Sequence, residues 1–381
     1  MPKILNVVCV FFSIPSFFGD QLSYFTKKGY NIHLSCSPSD KLFLYAKERG
    51  CSAVEIQIDR KFSIWQDLIA LWKLYNYIKK EKFDIVSGHT PKGGLLSMIA
   101  AYIAGVHKRI FFRHGLVYET KTGISRLILI NAERVASLLA TKVVCVSPYL
   151  IERSLQDHLT SKEKMILLNI GSCNGVDALG KFNPNNIIIT KKDSLKQALQ
   201  IDNDNFVIGY TGRLVKDKGI VELVEAFQTL DKQYNNLRLL LVGPLEERDA
   251  LPNEIVQIIK NHPRIIFTGL IEDNIQYYYS LMDILVLCTH REGFGTSILE
   301  ASSMEKPVLT TSHSGSRDAI INEQTGYYIE MTATSLIEKI SFYINNPEIK
   351  FKHGMNGRSF VLKNFEQEII WEEIENQLYK N

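Results

Sequence analysis

Residues 206–212, FVIGYTG, form a short β-branched run ending in glycine, and RLVKDKG (213–219) follows before a helix-length segment begins. Runs of the same kind recur at LRLLLVG (237–243), RIIFTG (264–269), DILVLCT (283–289) and PVLTTS (307–312), with room for a helix between each pair. Their apolarity is continuous rather than alternating, which suits strands buried on both faces of a parallel sheet whose crossovers are helical. Upstream, the same alternation runs through KILNVVCV (3–10), NIHLSCS (31–37), SAVEIQI (52–58), DIVSGH (84–89), RIFFRH (109–114), KVVCVS (142–147) and MILLNIGS (165–172). Residues 206–212 therefore restart a pattern already completed once, and two tandem Rossmann-like, doubly wound α/β domains follow. The expected boundaries are 1–175, an Asn- and Lys-rich linker at 176–205 with a short helix near Asp193–Leu199, a second domain at 206–364, and a closing helical segment at 365–381.

Size and composition agree. At 381 residues the chain exceeds the roughly 250–300 at which one core stops growing. With 45% hydrophobic and 22% charged residues it is neither disordered nor a disulfide scaffold. The six cysteines, Cys9, Cys36, Cys51, Cys145, Cys173 and Cys288, form no C-x-x-C pair or metal-ligand spacing, and reduced thiols in a cytoplasmic protein are the simplest reading. The opening MPKILNVVCVFFSIPSFF has one positive charge, Pro15 behind its apolar run and no small-x-small cleavage site, so it is read as a buried strand rather than a leader.

Charge divides the chain. Residues 1–175 carry 23 Lys+Arg against 13 Asp+Glu, and residues 176–381 carry 21 against 28. A basic first half suits nucleic acid, anionic lipid or a phosphorylated substrate, and equally a solvated surface of Lys-rich helices. No nucleic-acid recognition motif accompanies it, so nucleic acid is not expected as a partner. No apolar run reaches the ~18–20 residues of a membrane span, GGLLSMIAAYIAGV (93–106) coming nearest. In segment 61–82, Trp65, Leu68, Ile69, Trp72, Tyr75 and Ile78 recur at helical spacing beside lysines. The favoured reading makes that stripe the buried face of a crossover helix; the other lays it on a membrane surface.

The first strand runs into FFSIPSFFGDQ, with Gly19 alone and no G-x-G-x-x-G, which disfavours dinucleotide-dependent hydride transfer. In the second domain, Gly212 permits close backbone approach after the strand, and Arg213 and Lys218 bring two cations near a helix start. That arrangement suits a diphosphate. Further on, Glu292-Gly293-Phe294-Gly295-Thr296 leads into a helix bearing Glu300; small residues there offer backbone N–H groups to hydroxyl or phosphate oxygens, and the carboxylates can accept from sugar hydroxyls. Asp202-Asn203-Asp204 imitates a D-x-D metal motif but reads as a solvated turn.

TGRLVKDKG (211–219) together with EGFGTSILEASSMEKPVLTTSHSGSRDAI (292–320), HTPKGGLLSMIAAYIAGV (89–106), RHG (113–115) and GSCNGVD (171–177) resembles glycosyltransferase family 4, in particular a bacterial subgroup that builds capsules and O-antigens. The resemblance spans nearly the whole chain. It implies a GT-B fold with two Rossmann-like domains facing a central cleft, a closing helix (Glu366 to Tyr379) that packs back on the first domain, and retaining, metal-independent transfer without a cofactor. The donor would be a nucleoside-diphosphate sugar, with UDP and a hexose or N-acetylhexosamine as the choice, and the acceptor a lipid-diphosphate-linked saccharide. The chain would work at the inner face of the cytoplasmic membrane, on its anionic surface.

Carried onto this sequence, the resemblance makes Arg213 and Lys218 the diphosphate ligands, Glu300 the ribose partner, and Glu292 the carboxylate facing the donor sugar, with Gly293, Phe294, Gly295 and Thr296 alongside. His114 would touch the transferred sugar, and a structural histidine is the alternative. His89 and Lys92 fall on the acceptor side. Leu270 and Ile271 would meet the base through backbone, and Gly19 stands in the first loop where relatives carry a glycine pair that closes on the donor phosphate. Arg317-Asp318 replaces a common Glu, leaving Asp318 without an assigned role. Two other readings stay open: a nucleotide-sugar epimerase or hydrolase of the same fold, and a non-enzymatic two-lobed sugar-binding protein.

Overall fold

A computed structural model of the chain describes residues 2–59, 63–247 and 249–380. Lys61 and Phe62, at the start of the aromatic, lysine-rich segment, lie outside the described residues. Two compact units are present: Met1–Asn174 with Gln367–Asn381, and Gly175–Glu366.

The first unit is built on a parallel sheet of β1 (Lys3–Val7), β2 (Asn31–Cys36), β3 (Ser52–Glu55), β4 (Ile85–His89), β5 (Lys108–Arg113), β6 (Lys142–Cys145) and β7 (Met165–Leu167). Its spatial order is β3-β2-β1-β4-β5-β6-β7, so the winding direction reverses between β1 and β4. Helices cover both faces. On one, Leu22, Phe25, Leu42 and Ala46 pack with Ile370, Trp371, Ile374 and Leu378 of the closing helical segment. That segment is the helix Gln367–Ile374 followed by one π turn, Glu375–Tyr379. It is tied down by Glu375, which accepts hydrogen bonds from Lys28 at 2.7 Å and Tyr30 at 3.1 Å.

Helix Ile64–Glu81 corrects the favoured sequence reading. It buries Ala70, Leu74 and Ile78, whereas Trp65, Leu68, Ile69 and Trp72 are exposed. Ala70, Leu74 and Ile78, at i, i+4, i+8, approach the sheet; Ile78 alone of the stripe read from sequence is buried, and its two tryptophans face the other way.

The second unit has a parallel sheet of β8 (Phe206–Thr211), β9 (Leu237–Val242), β10 (Ile265–Phe267), β11 (Ile284–Leu287), β12 (Val308–Thr311) and β13 (Gly326–Ile329), ordered β10-β9-β8-β11-β12-β13. Strand β13 was not expected from sequence: GYYI is four residues long with polar flanks. The stretch read as a linker carries the helix Ile189–Ala198 and lies within this unit. Here the winding reverses between β8 and β11, and ligands of open α/β sheets bind beyond the carboxyl ends of strands at such a point.

Candidate active site

Two loops emerge at the reversal in the second unit, one after β8 and one after β11. The first passes through Gly212 and Arg213 to a tight turn at Lys216–Lys218, and Gly219, at φ +65°, starts the helix Ile220–Leu230. A Cβ on Gly219 would lie 1.7 Å from the Cys288 carbonyl oxygen, so only glycine lets the loops approach this closely. Asp217 fastens them: its carbonyl accepts from the His290 N–H at 2.9 Å, and its carboxylate pairs with Arg291 at 3.0 Å.

Lys218 crosses from one loop to the other. Its Nζ donates to Glu292 Oε2 at 2.7 Å and to the Arg291 carbonyl at 2.9 Å, with Thr289 Oγ1 at 3.4 Å. Burial works against charge on Glu292, but Lys218 and the Gly293 N–H at 3.1 Å outweigh it and hold the carboxyl below its ordinary pKa. Glu292 is therefore ionised at neutral pH. Arg213 is engaged by Glu246, Nη1 to Oε2 at 2.9 Å; burial disfavours its charge, and Glu246 more than restores it.

Helix Thr296–Ser303 begins after Gly295, at φ +90°; the Ile298 N–H turns back to the Gly295 carbonyl at 2.9 Å, and the amides of Thr296 and Ser297 come before the point where the helix supplies its own acceptors. The preceding loop is braced by Gly315, whose N–H donates to the Glu292 carbonyl at 2.9 Å. A Cβ on Gly315 would fall 2.0 Å from the Gly293 oxygen. On the helix, Glu300 Oε2 accepts from the hydroxyl of Tyr279 at 2.6 Å, and Tyr279 in turn lies 2.7 Å from Thr211 Oγ1. Burial raises the Glu300 pKa, and the Tyr279 hydrogen bond pulls it part of the way back.

In the first unit, His89 at the end of β4 and His114 just past β5 share a hydrogen bond, 2.9 Å from Nδ1 of His89 to Nε2 of His114. Phe17 stacks on His114 with ring centroids 3.7 Å apart, and Phe112 stacks on His89 at 4.5 Å. Cys173 Sγ lies 3.6 Å from Nδ1 of His114. Burial drives His114 down to about 3, and burial, then the adjacent His114, holds His89 well below the ordinary histidine value. Both rings are neutral at neutral pH, so one ring N–H donates and the other nitrogen accepts. Nε2 of His89 is buried without a hydrogen-bond partner among the described residues.

The structure thus brings Lys218 and Glu292 into direct contact, keeps Arg213 at the start of the same loop, and joins His114 to His89. Lys92 is ion-paired with Asp67 of the helix Ile64–Glu81. Gly19, at φ +49°, offers its carbonyl to Tyr45 and Arg49 at 3.3 and 3.2 Å. The Gly293 amide donates to Glu292 at 3.1 Å, and the Phe294 side chain is buried against Phe365, centroids 5.2 Å apart. Leu270 and Ile271 line an open groove of about 430 Å³ with Lys191, Leu195, Tyr277 and Tyr278, and none of the loop-bridging residues borders it. Sequence reasoning missed Tyr279 and Glu246, and Thr211 and Cys173 stand in its motifs without an assigned role. It had named Phe17 only as part of the first loop.

Comparison with known proteins identifies the family. Residues 191–360 match the family described as Glycosyl transferases group 1, and residues 10–147 match Glycosyl transferase 4-like. The Staphylococcus aureus protein "Capsular polysaccharide biosynthesis glycosyltransferase CapM" is 35% identical over 98% of this chain and 96% of its own length. The Escherichia coli "UDP-Gal:alpha-D-GlcNAc-diphosphoundecaprenol alpha-1,3-galactosyltransferase" is 29% identical over 79% of this chain and 76% of its own. In fold, Anabaena Alr3699/HepE in complex with UDP and glucose superposes with TM-score 0.83 at 18% identity, both chains covered in full. The chain belongs to the GT-B glycosyltransferases, in the group that includes capsule-building enzymes.

Proposed function

We propose that this glycosyltransferase moves a hexose or N-acetylhexosamine from UDP to a lipid-diphosphate-linked saccharide during capsule or O-antigen synthesis, with retention of configuration and without a metal ion. The observation that carries the proposal is Lys218 held at 2.7 Å from Glu292 beyond the carboxyl ends of β8 and β11. A cation and a carboxylate side by side suit a ligand that is anionic at its diphosphate and hydroxylated at its sugar. The printed donor and acceptor of the Escherichia coli relative favour UDP and a polyprenyl-diphosphate saccharide.

In this reading Arg213 and Lys218 receive the diphosphate, the amides near Gly295 and Thr296 assist, and Gly212 lets the ligand approach. Glu300 accepts from the ribose hydroxyls, Glu292 from the donor sugar, and Leu270 and Ile271 flank the base. His114 contributes a neutral ring to the sugar from the first unit, where His89 and Lys92 border the acceptor side and Gly19, in the first loop, belongs to the donor-phosphate side. As the anomeric carbon–oxygen bond breaks, negative charge grows on the leaving diphosphate, and the two cations stabilise it. The acceptor oxygen bonds to the same face of the anomeric carbon and passes its proton to the departing phosphate oxygen, giving UDP and the lengthened saccharide. Trapping a covalent glycosyl enzyme on Glu292 would overturn this front-face route. The basic first half fits an anionic membrane surface on the cytoplasmic side, where a lipid-linked acceptor is reached.

A thermal-shift panel of UDP, GDP, ADP, NAD and their sugar conjugates, with and without EDTA, tests the donor site. UDP at 100 times its dissociation constant adds about 2.7 kcal/mol to stability. The expected result is a UDP shift that ignores EDTA and is lost in Glu300→Ala. A response to NAD alone, or to none of these ligands, would refute it.

A further inference from the structure

The helices Ile64–Glu81, Pro91–Ile103 and Gly123–Leu139 lie side by side on one face of the first sheet, the middle one packed against both neighbours. Their outward surfaces are apolar to an unusual degree. On the first helix Trp65, Leu68, Ile69 and Trp72 follow i, i+3, i+4, i+7 spacing and are exposed, Trp65 by 79% and Trp72 by 65%. On the third, Ile124, Leu127, Ile128, Val135 and Leu138 form a matching stripe, with Ile124 exposed by 78% and Leu138 by 72%. In both cases the residues facing the sheet are others: Ala70, Leu74 and Ile78 on the first helix, Ile130, Glu133, Ala136 and Ser137 on the third. Tyr102 and Ile103 add exposed apolar surface at the end of the middle helix. Exposed apolar stripes repeated on helices that flank one another in this way mark an interaction surface rather than the scattered apolar residues of an ordinary exterior.

Charge selects the occupant. The three helices carry three acidic residues, and each is consumed in an ion pair: Asp67 with Lys92, Glu81 with Lys3, and Glu133 with Arg113. Lys73, Lys79 and Lys80 are exposed along the first helix, Lys79 one heptad beyond Trp72 and so continuing its stripe. A second copy of the chain docking through this face would set lysines against a surface with no unpaired carboxylate. An anionic bilayer supplies that counter-charge, and tryptophan is at home in the region between headgroups and acyl chains.

We propose that the outer face of these three helices is a bilayer-docking surface, on which Trp65 and Trp72 of the first helix and Leu127 and Ile128 of the third enter the headgroup region of anionic lipid. The inference deepens the proposed acceptor side and rests on that reading for the choice of a membrane. It goes beyond the aromatic segment seen in sequence by making helix Gly123–Leu139 an equal contributor.

The test is co-sedimentation of the full-length protein with vesicles, in the absence of donor and acceptor. Wild type is expected to partition onto phosphatidylglycerol/phosphatidylcholine vesicles and not onto phosphatidylcholine alone. Raising salt from 0.1 to 1 M, which shortens the screening length from about 10 to about 3 Å, weakens the binding. Trp65→Ser with Trp72→Ser, and separately Leu127→Ser with Ile128→Ser, should each lower partition by about tenfold or more. Replacing Lys73, Lys79 and Lys80 by Gln should remove the preference for anionic lipid. These side chains are exposed, so melting temperature and the UDP shift stay at wild-type values. Retained partition in the Leu127/Ile128 variant overturns the two-helix surface. A wild-type dimer in sedimentation velocity that this variant dissociates, with vesicle binding absent, would assign the face to a second copy instead. Because partition is scored without sugar transfer, failure of the transfer reading leaves this outcome unaffected, and failure here leaves nucleotide binding in the second unit intact.

Discussion

Replacing Lys218 with Met removes the cation from a site where its side chain is 11% exposed and that of Glu292 25%. Breaking a fully buried pair costs about 3–5 kcal/mol. Glu292 keeps the Gly293 N–H and some contact with water, so about 2 kcal/mol is the appropriate figure after allowing for screening. In a unit spanning Gly175–Glu366, about 2–4 °C is lost per kcal/mol, and the melting temperature falls by about 4–8 °C. A protein with an ordinary stability of about 5–15 kcal/mol still remains more than about 99% folded at 25 °C. Turnover behaves differently. Loss of one preorganised donor to developing negative charge costs about 10²–10³ in kcat, far more than the unfolded fraction explains. With the lysine gone, burial dominates Glu292 and its pKa rises. Glu292 with a depressed pKa stabilises the fold above the ordinary carboxylate value and loses that contribution as pH falls through its folded value; the variant lacks this acid-side dependence. The assay pairs UDP release at 25 °C, with acceptor, against calorimetric melting across pH 4 to 8. A kcat that falls only in proportion to the unfolded fraction would refute the role given to Lys218.

Tyr279→Phe removes the hydroxyl that holds Glu300 at 2.6 Å; a hydrogen bond to a charged group contributes about 1.5–3 kcal/mol, so UDP affinity should fall about tenfold by calorimetry, and an unchanged Kd would free Glu300 of its dependence on Tyr279. Glu246→Gln releases Arg213 from a partly exposed ion pair worth up to about 1 kcal/mol, and UDP should bind up to about fivefold tighter; weaker binding would instead make Glu246 a support for Arg213. His89 and His114 are held neutral by burial, with His114 at about 3. Unfolding therefore takes up protons below the ordinary histidine value, and stability is lost as pH falls from about 6.5 by about 1.4 kcal/mol per unit for each ring. Melting in the His89→Asn, His114→Asn double variant should show a shallower acid slope, and equal slopes would contradict the burial argument.

The strand and helix alternation was legible because buried parallel strands are written as continuous apolar runs. FVIGYT and LRLLLV needed no tertiary information, whereas β13, Gly326–Ile329, was hidden because a four-residue edge strand has too little apolar length to stand out. Helix Ile64–Glu81 is not legible from periodicity for a physical reason: its larger apolar residues, Trp65 to Trp72, point away from the sheet, which accepts the smaller Ala70–Leu74–Ile78 face. Lys218 and Glu292 were visible as motif residues, but their contact bridges 74 positions and depends on two loops meeting at the sheet reversal. Tyr279 and Glu246 carry no local signature at all. Each acquires meaning only from the partner that the fold places beside it.

The central claim is tested most directly by incubating the enzyme with radiolabelled UDP-glucose, UDP-galactose or their N-acetyl forms, with and without a polyprenyl-diphosphate saccharide, in EDTA. The account predicts label in the lipid phase matched by released UDP, dependent on acceptor, α-configured like the donor, and at least about 100-fold slower in Lys218→Met. UDP release that proceeds equally without acceptor would make the chain a hydrolase, and an inverted product or an absolute need for a divalent cation would contradict the proposed chemistry.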